Sequence, residues 1–354
     1  MTIQDLLDIV VKQGASDLHL STGVAPLIRV DGDLYPVNKY PPLDGQQVGQ
    51  LVKSLMSEEQ WQLFEHNKEL DFSFVYGKVA RFRVNAYHQL GQMGAALRLI
   101  PFKIPTIEEL YLPAVCHHFA KLQQGFVLVT GPTGHGKSTT LAAIINVINH
   151  TRPVHIVTIE DPIEYVHTPD KALITQREMH QDTLSWKVAL KSVLREDPDV
   201  VLIGEMRSYD TIAAALTIAE TGHLVFATLH TNSAAQTIDR IVDVFPPHQQ
   251  AQVRMQLSAT IAGVLSQRLL PMSDGGRRLA YEVLLSTPAV RNTIRDGKTH
   301  MIDNIILTSA DMGMNLFEHS LADLVNNGIV SADVAMKYAV RPDELSRLIY
   351  GRKK

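Results

Sequence analysis

The decapeptide GPTGHGKSTT, residues 131–140, follows the apolar run GFVLVT and precedes the helical pattern LAAIINVINH. No other feature constrains the fold as strongly. It fits G-x-x-x-x-G-K-[ST] in the strand–loop–helix setting that the motif requires. Gly131, Gly134 and Gly136 accept backbone angles that other residues resist, so the loop can turn its N–H groups inward as an anion nest. The helix behind it adds the positive end of its dipole. Lys137 is then placed to reach the β- and γ-phosphates of a nucleoside triphosphate, and Ser138 to hold Mg²⁺. Pro132, Thr133, His135 and Thr139 complete the candidate cradle. His135 stands in a slot often held by a small residue. It contributes mainly backbone there, and its imidazole is expected to face solvent.

The flanking pattern sets the architecture. GFVLVT, VHIVTIED, VVLIGEM and HLVFATLH are continuous apolar runs, separated by the helical patterns STTLAAIINVINH, TLSWKVALKSVLRED, YDTIAAALTIAETG and SAAQTIDRIVDVF. Such runs between helices indicate a parallel sheet covered on both faces. From about residue 249 the pattern is mostly helical, with one further strand in RLAYEVLLS. Residues 1–100 read as a separate α+β domain. IQDLLDIVVKQG and QQVGQLVKSLMSEEQWQLF are helical, and SDLHL, DFSFVYG, ARFRVNAYH and AALRLIP are strands. LIRVDGDLYPV is a hairpin with Asp31 and Gly32 in its turn. Strands spaced this closely form an antiparallel sheet. The proline-rich segment 101–113, PFKIPTIEELYLP, reads as a linker, which leaves 114–354 as the second domain.

Bulk properties exclude several classes. A net charge of −4 argues against a general nucleic-acid binder. A single cysteine, Cys116, excludes an intrachain disulfide framework and a multi-cysteine zinc site, and suits a reducing cytosol. Asp5 and Asp8 interrupt what a signal peptide would need as an apolar core. No uncharged apolar run reaches the ~18 residues of a spanning helix. A cytoplasmic protein is expected, with any membrane contact made through a partner.

A bound triphosphate needs a metal anchor and a group that orients water. DPDVVLIGEMR places Asp199 before a buried strand, and Glu205 and Arg207 after it. Glu205 thus points toward Mg²⁺ or the attacking water. IEDPIEY places Glu160, Asp161 and Glu164 at the end of the preceding strand, with Pro162 turning the chain. Spacing does not decide which acid is the base. His230 follows HLVFATL, where it either senses the γ-phosphate or belongs to a loop in which Asn232 or Ser233 caps the next helix. Arg81 and Arg83 share one face of a strand, and Arg98 lies on the next. They form a solvated sheet face or act as arginine fingers on a neighbouring subunit's nucleotide.

The blocks KQGASDLHLSTGVAPLIRVDGDL, RFRVNAY, GPTGHGKSTT, TIEDPIEYVH, LREDPDVVLIGEMR, TGHLVFATLHTNSAAQTIDRIVDVFP and AVRNTIRDGK span nearly the whole chain in this order. Together they resemble the secretion and pilus motor ATPases, in particular those that retract type IV pili. The resemblance implies a PAS-like α+β N-terminal domain, a RecA-like P-loop core with a helical C-terminal extension, and a homo-hexameric ring that hydrolyses ATP with Mg²⁺. It implies Glu164 as the water-activating base, Glu205 near the metal, His223 and His230 in a histidine box, and Arg81, Arg83 and Arg98 as fingers across the subunit boundary. AVRNTIRD resembles the retraction motif AIRNLIRE, matched by Arg291, Asn292, Ile294 and Arg295. Val290, Thr293 and Asp296 depart from it, as His135 and Asn232 depart from the family's other motifs. The partners implied are an inner-membrane pilus platform protein and an accessory retraction paralogue, with no nucleic acid.

Other readings share parts of this pattern, and a non-catalytic scaffold is disfavoured by the full set of acids and arginines. Pilus-assembly and type II secretion ATPases usually have a longer N-terminal region and a four-cysteine metal element, against one cysteine in 354 residues. An accessory retraction ATPase shares the same motifs. A RecA-type nucleic-acid motor shares the core but not the acidic balance. A GTPase switch would carry N-K-x-D after the loop, which is absent from the sequence.

Overall fold

The computed structural model describes residues 1–351 apart from Asp31, Lys78, Val79, Pro101 and Phe102. The expected turn residue Asp31 and the first two linker positions therefore lie outside the described residues. The chain divides into two compact units, one ending at Lys103 and one beginning at Ile104.

In the first unit, α1 (Ile3–Lys12) opens on a capping box between Thr2 and Asp5. It buries Ile3, Leu6, Leu7 and Val10, the i, i+3, i+4, i+7 stripe of an amphipathic helix. Then come β1 (Asp17–Leu20), β2 (Leu27–Val30) and β3 (Asp33–Pro36). The segment expected as one helix is two, α2 (Gly45–Lys53) and α3 (Glu58–Asn67). Ser57 splits it: its hydroxyl accepts from the Gln60 N–H while the Gln60 side chain accepts from the Ser57 N–H. That reciprocal cap starts a new helix where the apolar spacing alone suggested continuation. β4 (Glu69–Tyr76), β5 (Ala80–Gln89) and β6 (Gln92–Ile100) complete a sheet of order β3-β2-β1-β6-β5-β4, antiparallel throughout. Along β5, Ala80, Phe82, Val84 and Ala86 are buried in the same core as Leu6 and Leu7. Arg81 and Arg83, at the alternate positions, therefore point to the opposite face.

The second unit begins inside the expected linker. Ile107 is 2% exposed and packs with Phe119 of α4 (Val115–Lys121). Its apolar side chain outweighs the surrounding prolines, so this stretch is part of the core rather than a tether. There follow β7 (Gly125–Thr130), α5 (Lys137–Thr151), β8 (His155–Glu160), β9 (Leu173–Glu178), α6 (Trp186–Val193), β10 (Val200–Ile203), α7 (Tyr209–Glu220), β11 (Leu224–Leu229), α8 (Ala234–Asp243) and α9 (Pro247–Thr260). The chain continues through β12 (Ile261–Pro271), β13 (Arg277–Leu285), α10 (Pro288–Arg295), α11 (Ile302–Thr308), α12 (Phe317–Asn326), α13 (Ala332–Tyr338) and α14 (Pro342–Tyr350).

The sheet order is β13-β12-β7-β11-β10-β8-β9. All neighbours are parallel except β13, which runs antiparallel to β12. Both faces are covered, as expected. Phe126, Leu128, Ile159 and Val225 pack toward α6, α7 and α8, whereas Val127, Val129, Leu202 and Phe226 pack toward α4 and α5. Two strands were not expected. β9 is a polar edge strand, and its sequence ALITQRE lacks the apolar run of its neighbours. β12 follows α9 with no intervening turn residue, so its apolar positions read as more helix. The region after 249 is thus less helical than its pattern suggested. β12 lies directly beside β7, which puts it next to the glycine loop. Among the described residues, no helix is long and apolar enough to cross a membrane.

Candidate active site

β7 ends at Thr130, and the chain turns through Gly131, Gly134 and Gly136 with φ of 142°, 78° and 82° before α5 starts at Lys137. The glycines serve different ends. A Cβ at position 131 would lie 2.2 Å from the carbonyl oxygen of Gln267, whereas one at 134 would meet nothing within 4 Å. Gly131 is there for close approach, Gly134 for its backbone angle on the open side of the loop. α5 has no side-chain cap, so its first N–H groups remain available to an anion.

Lys137 is 8% exposed. Its Nζ donates to the carbonyls of Gly131 at 2.8 Å and Pro132 at 3.0 Å, both neutral acceptors. Burial lowers its pKa, and the carboxylates of Glu205 and Glu164 partly restore it. A phosphate would give this ammonium the counter-charge it lacks.

His230, at the end of β11, ties the two sides of the site together. Its Nδ1 is 3.4 Å from Lys137 Nζ and 3.3 Å from Thr133 Oγ1, and its Nε2 is 2.8 Å from Glu205 Oε1. An ammonium only donates, so Nδ1 is the acceptor and Nε2 carries the proton toward Glu205. The capping reading of this loop is also seen: Ser233 caps α8 by accepting from the Gln236 N–H. Glu205 is gripped by Arg207 at 2.7 and 2.8 Å. Burial raises its pKa, but Arg207 and His230 outweigh that and hold the carboxyl below its usual range. Arg207 and His230 together fill Oε1, while Oε2 meets only Arg207 among the described residues and keeps an acceptor site.

Glu160 lies at the end of β8 in a cavity it lines with Ser138, Tyr165, His167 and Thr228. Thr158 donates to it at 2.7 Å and Gln176 at 3.5 Å. Burial nevertheless pushes its pKa up to about 7. His167 is buried too, held to about 4 by burial, and its Nδ1 has no hydrogen-bond partner among the described residues. Tyr165 OH lies 3.0 Å from Thr139 Oγ1, joining this cavity to the glycine loop. Asp161 and Glu164 are exposed on the loop after β8, which turns at a cis Asp161–Pro162 bond. Glu178 anchors that loop by accepting from the Ile163 N–H at 3.1 Å.

Several sequence candidates lie elsewhere. Asp199 and His223 precede β10 and β11, at the end of the parallel sheet opposite Lys137. Asp199 accepts from the His155 N–H at 2.8 Å, and His223 Nδ1 lies 3.0 Å from both Thr221 Oγ1 and the Ile218 carbonyl. Their work there is to close strand and helix ends, since strands that begin at one edge cannot present residues at the other. Arg83 and Arg98 sit directly opposite each other on β5 and β6. Arg98 Nε also donates to Asp17 at 2.8 Å. Arg81, Arg83 and Arg98 all belong to the first unit. On α10, Arg291, Asn292 and Arg295 are exposed, whereas Val290, Thr293 and Ile294 are buried.

His135 is half-buried, with one ring nitrogen turned toward β12 rather than to solvent. Its Nδ1 accepts from the Leu269 N–H at 2.9 Å, and its carbonyl accepts from Gln267 Nε2 at 2.8 Å. Burial, first, and the nearby charges of Arg268, Lys137 and Arg277 lower its pKa. Gln267 and Leu269 were not singled out from sequence, because β12 was not recognised as a strand.

A model of the type II/IV secretion system proteins matches residues 1–333. The chain belongs to that family. Within the type II/IV secretion system proteins, it is 51% identical to the type IV pilus retractation ATPase PilT of Pseudomonas aeruginosa, over 97% of this chain and 99% of that one. It is 41% identical to the type IV pilus ATPase PilU of the same organism, over 99% of this chain and 91% of that one. The crystal structure of the pilus retraction motor PilT with bound ADP superposes with a TM-score of 0.93 at 45% identity, covering 98% of this chain and 99% of that one.

Proposed function

We propose that this chain is the ATP-hydrolysing motor that retracts type IV pili. The observation that carries the reading is the link from Lys137 through His230 to Glu205, which joins the phosphate loop to the acid at the end of β10. The loop N–H groups and Lys137 hold the β- and γ-phosphates and spread their charge. Ser138 and Glu205 would supply protein oxygens to Mg²⁺, a hard cation. Bound there, the ion would neutralise charge on the phosphates. Glu164 takes the proton of the attacking water. His230 reports on the γ-phosphate, because any shift of Lys137 changes the hydrogen bond that its Nδ1 accepts.

Six copies form the working ring, and Arg81, Arg83 or Arg98 of a neighbouring copy meets the phosphates. Closure on ATP and opening on ADP then convert a difference in nucleotide affinity into movement. The ring acts at the cytoplasmic side of the inner membrane on the pilus platform protein, with an accessory paralogue as a further partner. The exposed residues of α10 support the retraction reading. Val290 and Thr293, which depart from the retraction motif, are turned into the core, and Arg291, Asn292 and Arg295 keep the outer face.

The test is genetic. A strain of the source bacterium lacking this chain is expected to keep its pili and lose surface motility. Wild type should restore movement and Lys137→Ala should not. Motility that survives the deletion, or is restored by Lys137→Ala, overturns the reading.

A further inference from the structure

We propose that Gln267, on β12, is a positioning residue for the nucleotide. It sets the curvature of the glycine loop so that the loop's N–H groups converge on phosphate. The inference rests on the nucleotide-binding reading above. Gln267 is 1% exposed and uses both ends of its amide. Nε2 donates to the His135 carbonyl at 2.8 Å, and Oε1 accepts from Thr140 Oγ1 at 3.0 Å. The His135 carbonyl can only accept, which fixes the amide's orientation. His135 and Thr140 bracket Gly136–Thr139, the segment that carries Lys137 and Ser138. One side chain therefore clamps both ends of the stretch that meets the phosphates.

The backbone of the same strand completes the support. The Gln267 carbonyl occupies the space beside Gly131. The Leu269 N–H donates to the His135 ring from the next position on that face of β12. Glutamine is the side chain this geometry asks for, because it offers a donor at one end and an acceptor at the other. Glutamate would set an acceptor against the His135 carbonyl, and leucine would leave that carbonyl and the Thr140 hydroxyl without partners.

The experiment titrates full-length purified protein with Mg-ADP and follows ATP turnover and the ADP-free melting temperature. Gln267→Leu and Gln267→Glu are expected to weaken ADP binding about tenfold. KM for ATP should rise more than kcat falls, and ADP affinity should fall at temperatures where the ADP-free variant is still fully folded, even though the unpartnered groups lower its melting temperature. Thr140→Val should weaken binding on its own and add nothing to Gln267→Leu, since both cut the same clamp. Wild-type ADP affinity in Gln267→Leu, while Lys137→Ala loses it, overturns the inference alone. So does a loss of ADP affinity that is confined to temperatures where the ADP-free variant is already unfolding. Should Gln267→Leu fail to fold, unchanged ADP affinity in Thr140→Val overturns it. Wild type that binds no ADP overturns the nucleotide reading and this inference with it.

Discussion

A carboxyl shut away from water keeps its proton, and Glu160 is such a group. An ordinary glutamate titrates near 4.5, and burial moves this one to about 7. Between those values the folded chain holds a proton that the unfolded chain has released. The contribution of Glu160 to stability is therefore complete below about 4.5 and is lost as pH rises through about 7. Urea denaturation of wild type and Glu160→Gln from pH 5 to 7.5 should show wild type losing ground to the variant, by on the order of 1 kcal/mol per pH unit. Parallel pH profiles would show that Glu160 is ionised when buried. At this scale the sequence reveals residues whose chemistry is named by a motif: Lys137, Ser138 and the acids after β8 and β10. Asp199 shares its segment with Glu205, and His223 shares the histidine box of the family resemblance with His230, but a parallel strand separates its two ends. His135 was expected to face solvent because nothing in the loop's own sequence announces the Leu269 N–H opposite it.

Elements decide what those residues can do. β7 runs between β11 and β12, so the loop after it is flanked by His230 on one side and Gln267 on the other. The glycines test this arrangement. Gly131→Ala forces a Cβ against the Gln267 carbonyl and should cost about 2–4 kcal/mol of stability, with nucleotide binding weakened as well. Gly134→Ala meets open space and should cost only about 1–2 kcal/mol, the strain of its positive φ. Chemical denaturation of the two variants checks the order, and equal losses would contradict the close approach of β12. The parallel strands β7, β8, β10 and β11 were legible because each is a continuous apolar run bounded by turns. β12 was not, because Thr260 passes straight into Ile261 without a helix stop. The α2–α3 break was hidden for the opposite reason. Its apolar spacing continues across Ser57, and only the cap hydrogen bonds interrupt it.

At the scale of the whole molecule, the two units carry different sets of functional candidates. The antiparallel unit offers an arginine-bearing sheet face, and the parallel unit holds the phosphate loop, the acids and His230. The most direct measurement is steady-state phosphate release from purified protein with ATP and Mg²⁺, with ATP binding followed in parallel. Wild type should turn over. Lys137→Ala should neither retain ATP nor release phosphate. Glu164→Gln should keep ATP bound while release falls at least about a hundredfold. Turnover at the wild-type rate by Lys137→Ala would contradict the account.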